Sequence, residues 1–351
     1  MSRPVYIVST GARTPLGFEA ASSAAAVRGA VSATRDHPFL VDQVGDPMPG
    51  ALDPEIDPRI MGVQRLLALA RPALIDACEP LAAAGISGLA VPVYLALPEF
   101  RPGFSDRDAE AVRAGIAATS ELPIGITAVA VAPMGHAAGL AAIAKARSQI
   151  ETGACDICLV GGVDSYFQSD TMEWLDANLQ LAGAVSRSGF VPGEAAGFSL
   201  LMSEDACSRY GVPAMARVRS AGTARESNLI KTADRCLGKG LTETVQNVVA
   251  VLDDGTQTVN AVICDVNGER YRAEEWAFVC LRLAQYFDDP AAYDSPADCW
   301  GDVGAASGPL FAMLACRAAA RQYAKGRNTL IWASSEGGLR GAALLEAPGQ
   351  V

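Results

Sequence analysis

Histidine is scarce: two residues, His37 and His136, in a chain of 351. Each imidazole must therefore be accounted for singly. Although 50% of the residues are hydrophobic, no apolar run reaches the roughly 18 residues that a membrane-spanning helix needs, which argues against a membrane. Basic blocks are also missing. Lys and Arg number 28 against 39 Asp and Glu, a formal charge of -11, which argues against nucleic acid as a partner. The opening MSRPVYIVSTG reads as a short strand without the layout of a signal peptide. Nine cysteines are scattered along the chain. An odd count without a secretion signal fits reduced thiols and a cytoplasmic setting. Cys155 and Cys158 form one C-x-x-C, but no second one completes a zinc site. The stretch reads as the start of a buried strand, where positions three apart face opposite ways, so both are expected to pack in the core.

Ala and Gly are abundant, which favours helices lying close to sheets. Apolar runs bounded by turn residues predict strands at Val5–Thr10, Leu89–Leu97, Ile126–Ala132, Ile157–Gly162 and Phe198–Ser203. A second set follows at Ala216–Ala224, Asn260–Val266, Thr329–Ser335 and Gly341–Glu346. Near-continuous apolar strands argue for a sheet covered on both faces. Between them, residues 106–119, 139–153, 239–252 and 309–326 carry helical spacing, the second stopped by Gly153 and the last by Gly326. Strands alternating with helices imply an α/β fold. The Pro- and Asp-rich stretch 36–59 reads as a long surface loop, with His37 as a solvated or capping side chain of no assigned function. Asp253–Thr258 reads as a surface turn. GERYRAEEW, residues 268–276, carries mixed charge on a helix and reads as a solvated face with i,i+4 pairing.

GHAAGLAAIAKA and GAASGPLFAMLACRAAA share a glycine, a small triplet, a second glycine and a long apolar helix. This faint repeat suggests two similar halves, 1–207 and 208–351.

From Gly161 to Ala206 the chain runs through GGVD, a helix with Trp174 and Leu175, and GFVPGEAAGFSLLMSE. This pattern resembles the β-ketoacyl synthases of the thiolase-like superfamily, with Phe190, Pro192, Gly193, Glu194 and Ala195 matching the family's turn before a hydrophobic strand. YIVSTGARTPLG, GDVGAASGPLFAMLA and SSEGGLRGAALLE resemble the opening strand, a helix start and the closing hairpin. The resemblance spans nearly the whole chain and is weakest between Thr223 and Asp265. It implies a thiolase-like five-layer αβαβα fold with two pseudo-repeated halves, mixed five-stranded sheets and central buried helices. It also implies a structural role for Glu194 in bracing its turn.

Ketosynthases hold a nucleophilic cysteine at a helix N-terminus, where end amides lower the thiol pKa and stabilise an oxyanion. Along the family pattern His136 stands at that position, and no cysteine lies between Cys78 and Cys155. Asn267 and Asp302 stand where the family has its two histidines. Glu336 replaces the gating phenylalanine, beside Gly337 and Gly338, which the resemblance places against substrate. Decarboxylative condensation needs a thioester on cysteine and donors for an enolate, and an ionised Asp302 repels one. Condensation is therefore expected to fail.

Two readings follow. In one the chain is a non-catalytic, chain-length-factor-like partner in fatty acid or polyketide type metabolism. In the other, His136 with Asp302 forms a repurposed acyltransferase or thioester hydrolase. A metal held by His136, Asp302 and Glu336 is the least favoured alternative, and no cofactor is expected. Partners implied by the resemblance are an acyl carrier protein or acyl-CoA, and a homodimer or a heterodimer with an active ketosynthase through the apolar edge strand Ile126–Ala132. Cys299 is expected to be a packed loop thiol. Trp174 and Trp276 are expected to be core or interface anchors.

Overall fold

The computed structural model describes residues 3–183, 186–232, 234–252 and 255–349. Asp253 and Asp254 of the expected turn lie outside the described residues. The chain begins β1 (Val5–Arg13), α1 (Ala20–Arg28), β2 (Arg35–Val41), β3 (Pro47–Gly50), α2 (Gly62–Ala83), β4 (Leu89–Leu97) and α3 (Asp106–Ala117). It continues with β5 (Ile124–Pro133), α4 (Ala138–Glu151), β6 (Ile157–Ser165), α5 (Ser169–Ala177), β7 (Glu194–Ser203) and α6 (Glu204–Tyr210). After β8 (Ala216–Arg225) come α7 (Lys239–Val249), β9 (Ala261–Cys264), α8 (Arg270–Leu283), α9 (Ala297–Trp300), α10 (Ser307–Ala320), β10 (Asn328–Ser334) and β11 (Leu339–Glu346). Each of the nine strands expected from apolar runs is present.

The strands lie in the order β5-β4-β6-β7-β1-β8-β11-β10-β9. Both halves follow one scheme. β1 is antiparallel to β7, β7 to β6, and β6 runs parallel to β4. Likewise β8 is antiparallel to β11, β11 to β10, and β10 runs parallel to β9. Within the sheet the halves are paired at Tyr6 with Arg217 and Ile7 with Ala216. The second half departs from the expected five strands, having four among the described residues. Where a counterpart of β5 would pair with β9, residues 287–294 give only isolated parallel bridges, Val259 to Phe287 and Ile263 to Asp294.

Between the two parts of the sheet lie α4 and α10. The repeat seen in the sequence has a physical meaning here. A Cβ on Gly139 would sit 2.5 Å from Pro309 Cδ, and one on Gly308 would sit 2.8 Å from the Leu140 nitrogen. The second glycine of each repeat is thus the place where the two central helices touch backbone to backbone. Leu140, Ile143, Leu310, Phe311 and Met313 fill the surrounding core. α2 and α3 cover the outer face of the first half, and α7 and α8 that of the second. The result is the five-layer αβαβα arrangement.

Two regions differ from expectation. α2 carries Pro72 and Pro80 in its interior, which hides it from helix patterns. Leu66, Leu69, Leu74 and Leu81 are nevertheless buried along one face. At about 1.5–3 kcal/mol each, together they match or exceed the cost of two prolines at about 3 kcal/mol each. The expected loop 36–59 instead contains the β2–β3 hairpin. His37 is buried there rather than solvated, stacked on Phe167 at 5.6 Å. Its Nδ1 accepts the amides of Phe39 and Leu40 at 3.2 and 3.0 Å, which is the capping half of the expectation. Among the described residues no helix is long and apolar enough to cross a membrane.

Candidate functional site

β5 ends in a sharp elbow before α4. Gly135 takes φ +69 there, and a Cβ would press 3.0 Å from the Glu99 side chain. His136 follows, one residue ahead of the N-cap Ala137. The Ala137 amide donates to Ser335 Oγ at 2.9 Å, and that hydroxyl donates to Met134 O at 2.5 Å. The closing β10–β11 hairpin is therefore stitched to the elbow, and one otherwise orphaned helix-end amide is satisfied.

Two further segments converge on His136. The loop after α9 brings Asp302, whose Oδ1 and Oδ2 lie 2.8 and 2.9 Å from His136 Nε2. The loop after β9 brings Asn267, whose side-chain amide donates to Asp302 Oδ2 at 2.5 Å. Two groups not anticipated from the sequence complete the ring around Asp302. Tyr166, just beyond β6, donates its hydroxyl to Oδ1 at 3.1 Å, and the Gly304 amide donates to Oδ1 at 2.8 Å. The positions of His136, Asn267 and Asp302 thus form one hydrogen-bonded cluster.

Arg272 on α8 is the principal residue that the sequence did not reveal. It is fully buried and contacts Asp265, Glu269 Oε2 at 3.3 Å and Ser334 O at 2.8 Å. Glu275, one turn on, is also buried and grips Arg340 and Ser334 Oγ. The expectation of a solvated face for residues 268–276 is therefore corrected. Only Arg270 and Glu274, paired at 2.6 Å, fit it. Mixed charge is a weak signal because it looks the same on a wet face and in a buried ion network. Trp276 does lie in the core, stacked on Trp332 at 5.3 Å.

Electrostatics follow from this packing. Burial pulls the His136 pKa down and the Asp302 carboxylate pushes it up, and the carboxylate prevails, so the pKa is raised. Burial acts to raise the Asp302 pKa, but His136 and Arg272 hold it far below the usual carboxylate range. Arg272 Nη2 lies 3.3 Å from His136 Nε2. A nitrogen donating to a carboxylate cannot also accept from a guanidinium, so that contact is packing beside a cation. A cation also works against the α4 dipole. That term is about 0.3–1 kcal/mol, whereas breaking a buried pair costs about 3–5 kcal/mol, and the pair decides. His37 shifts the other way, lowered by burial and then by Arg65. With only two histidines, an NMR titration separates them directly. His136 should keep its proton above the ordinary value of about 6.5, and His37 should lose its proton below it. Coincident titration of the two rings would contradict the buried pair.

Glu336, Gly337 and Gly338 form the turn between β10 and β11 but do not touch His136. Glu336 pairs with Lys231 at 2.6 Å, and Lys231 also reaches Glu269 at 3.3 Å. The Gly337 amide donates to Glu99 at 2.9 Å. The metal grouping of His136, Asp302 and Glu336 is not assembled. Among the described residues the ligand-type set that converges is Glu226, Cys236 and Glu275, where Cys236 and Arg340 already bind Glu275. Glu194 is buried under Arg65 in a two-pronged pair at 2.5 and 2.6 Å, and accepts the Asp53 amide and Ser165 hydroxyl. Cys299 is buried against Val27 O.

The cavity beside Asp265, Asn267 and Asp302 measures about 10 Å³, the scale of one water. A larger groove of about 910 Å³ lies farther out, lined by Lys231, Leu237, Glu269, Tyr271, Phe278 and Leu281.

Residues 105–206 match the model of the beta-ketoacyl synthase N-terminal domain. No curated protein sequence matches the chain. Among solved structures, the ishigamide ketosynthase/chain length factor is similar at TM-score 0.78 and 18% identity, over 99% of this chain and 100% of that one. A type II PKS acyl-carrier protein in complex with its ketosynthase bound to the hexaketide gives TM-score 0.78 at 15% identity, over 99% and 100%. A beta-ketoacyl synthase from Burkholderia phymatum STM815 gives 0.76 at 15% identity, over 99% and 100%.

Proposed function

We propose that this chain is a divergent member of the β-ketoacyl synthase family, whose N-terminal domain model it matches over residues 105–206, and that it is a non-condensing partner subunit in acyl chain building of the fatty acid or polyketide type. One observation carries this reading. The three positions that the sequence resemblance sets against the family's Cys-His-His set are spent on one another, with His136 on Asp302 and Asn267 on Asp302. The cavity lined by Asn267 and Asp302 is about 10 Å³, against the roughly 300–1,000 Å³ of a small-molecule site. A general base must be unprotonated, and the buried pair favours the protonated ring. This weighs against the acyltransferase or hydrolase reading, in which His136 would attack or activate water.

The partner surface is β5. It is the last strand of its sheet, and Thr127, Ala128 and Ala130 are exposed along it. A strand with unpaired amides and small apolar side chains suits pairing with another such edge. The partner proposed is an active ketosynthase of the same fold, giving a heterodimer, with an acyl carrier protein delivering substrate to the active subunit.

Acyl- and malonyl-thioester consumption by the wild type, His136→Ala and Asp302→Asn is expected to stay at the uncatalysed rate in all three. Light scattering after mixing with a co-expressed ketosynthase should show a heterodimer, which Ala130→Glu disperses. Turnover above background that disappears in His136→Ala would overturn the partner reading in favour of the enzyme.

A further inference from the structure

Cys155 and Cys158 take no part in the site; both pack on the core as expected, Cys158 within it and Cys155 against it, but the structure corrects the way they were expected to face. Cys155 precedes β6 rather than lying in it, so strand alternation does not reach it. The two sulfurs do not face opposite ways. They are 3.1 Å apart. The backbone holds them so. Gln149 O accepts the amides of Ala154 and Cys155 at 2.9 and 3.4 Å, and Asp156 O accepts the Ser203 amide at 2.9 Å. The Asp156 carboxylate is pinned by Arg3 at 2.6 Å. Cys158 lies inside β6, registered against Leu201 of β7. Cys155 is partly exposed, whereas Cys158 is buried. Among the described residues no other two thiols are hydrogen-bonded to each other.

We propose that Cys155 and Cys158 form a reversible disulfide, a thiol–disulfide exchange site at the foot of β6 that reacts with small-molecule disulfides such as oxidised glutathione. The asymmetry in exposure assigns the order. Cys155, as thiolate, attacks one sulfur of the glutathione disulfide. That S–S bond breaks and one glutathione leaves, taking up the proton Cys155 released. Cys158 then attacks the Cys155 sulfur of the mixed disulfide, the bond to glutathione breaks, and the second glutathione leaves with the Cys158 proton. Two protein thiols are oxidised to one disulfide, and one glutathione disulfide is reduced to two thiols. Burial pushes the Cys158 thiol up, which leaves the first attack to Cys155. The sulfurs must close to about 2.05 Å, a movement of about 1 Å that rotation of the partly exposed Cys155 side chain supplies.

The test uses the folded full-length chain, incubated with oxidised glutathione, alkylated and digested with trypsin. The peptide 148–187, which holds both residues, is expected to be recovered lacking two hydrogens and carrying neither alkyl group nor glutathione. Dithiothreitol should restore two alkylation sites. Cys158→Ser should retain glutathione on Cys155, because nothing remains to displace it, and Cys155→Ser should take up none at Cys158. A wild-type peptide that keeps glutathione on Cys155, or that remains fully alkylatable while other cysteines are oxidised, overturns the proposal. The wild-type measurement stands even if a variant fails to fold.

Discussion

Replacing Asp302 by alanine is expected to lower folding stability by about 3–5 kcal/mol, measured by denaturant unfolding at matched m-values. The carboxylate is buried and accepts from four groups, His136, Asn267, Tyr166 and the Gly304 amide. Its removal takes the carboxylate from a buried imidazole and leaves the Tyr166 hydroxyl and the Gly304 amide without this acceptor, while Asn267 keeps Glu269 Oε2 at 3.2 Å; each orphan costs about 1–3 kcal/mol where it cannot relax. His136→Ala should cost less, about 1–3 kcal/mol, because Asp302 keeps its other donors. The pH dependence identifies the cause. The Asp302 pKa is lowered, so its stabilisation is present above about pH 4 and lost in acid. The His136 pKa is raised, so its share is complete below about pH 6.5 and fades as the pH climbs through the raised value. The gap between wild type and Asp302→Ala should thus be widest between about pH 4 and 6.5 and narrow in alkali. A loss below about 1 kcal/mol would mean that the cluster is not a buried pair.

Arg272→Ala should be comparably damaging, about 3–5 kcal/mol at pH 7. The guanidinium is fully buried and binds Asp265, Glu269 and Ser334 O together. Asp265 is the vulnerable partner, because its Oδ1 is buried without a hydrogen bond. Burial raises its pKa while Arg272 restrains it. Without Arg272 that pKa rises further. A carboxyl with a raised folded pKa binds more protons folded than unfolded, so lowering the pH stabilises the fold. The deficit of Arg272→Ala should therefore shrink between pH 7 and pH 5, and Arg272→Lys should recover only part of the lost stability, since a compact ammonium lacks the planar fork that spans Asp265, Glu269 and Ser334 O. A deficit unchanged with pH would assign the loss to packing instead of a stranded carboxylate.

Legibility in the sequence tracked how local each signal is. The nine strands were readable because apolar runs between turn residues need no distant information, and β4 falls at the expected Leu89–Leu97. α2 was obscured because Pro72 and Pro80 speak against a helix locally, while the leucines that overcome them gain only by meeting the sheet. At the site, His136, Asn267 and Asp302 were singled out by position in motifs. Tyr166, Asp265 and Arg272 were not, since nothing nearby in sequence distinguishes a buried arginine in GERYRAEEW from a wet one.

By itself the sequence determined the alternation of strands and helices, the two glycine-marked central helices, and the absence of cysteine at the α4 elbow. These are properties of residue type and spacing along the chain. Only the tertiary structure decided that His136 and Asp302, 166 residues apart, spend their hydrogen bonds on each other, that charges on α8 lie inside, and that the thiols of Cys155 and Cys158 touch. Each of these depends on burial and on direction between side chains, and packing sets both only after distant segments have met.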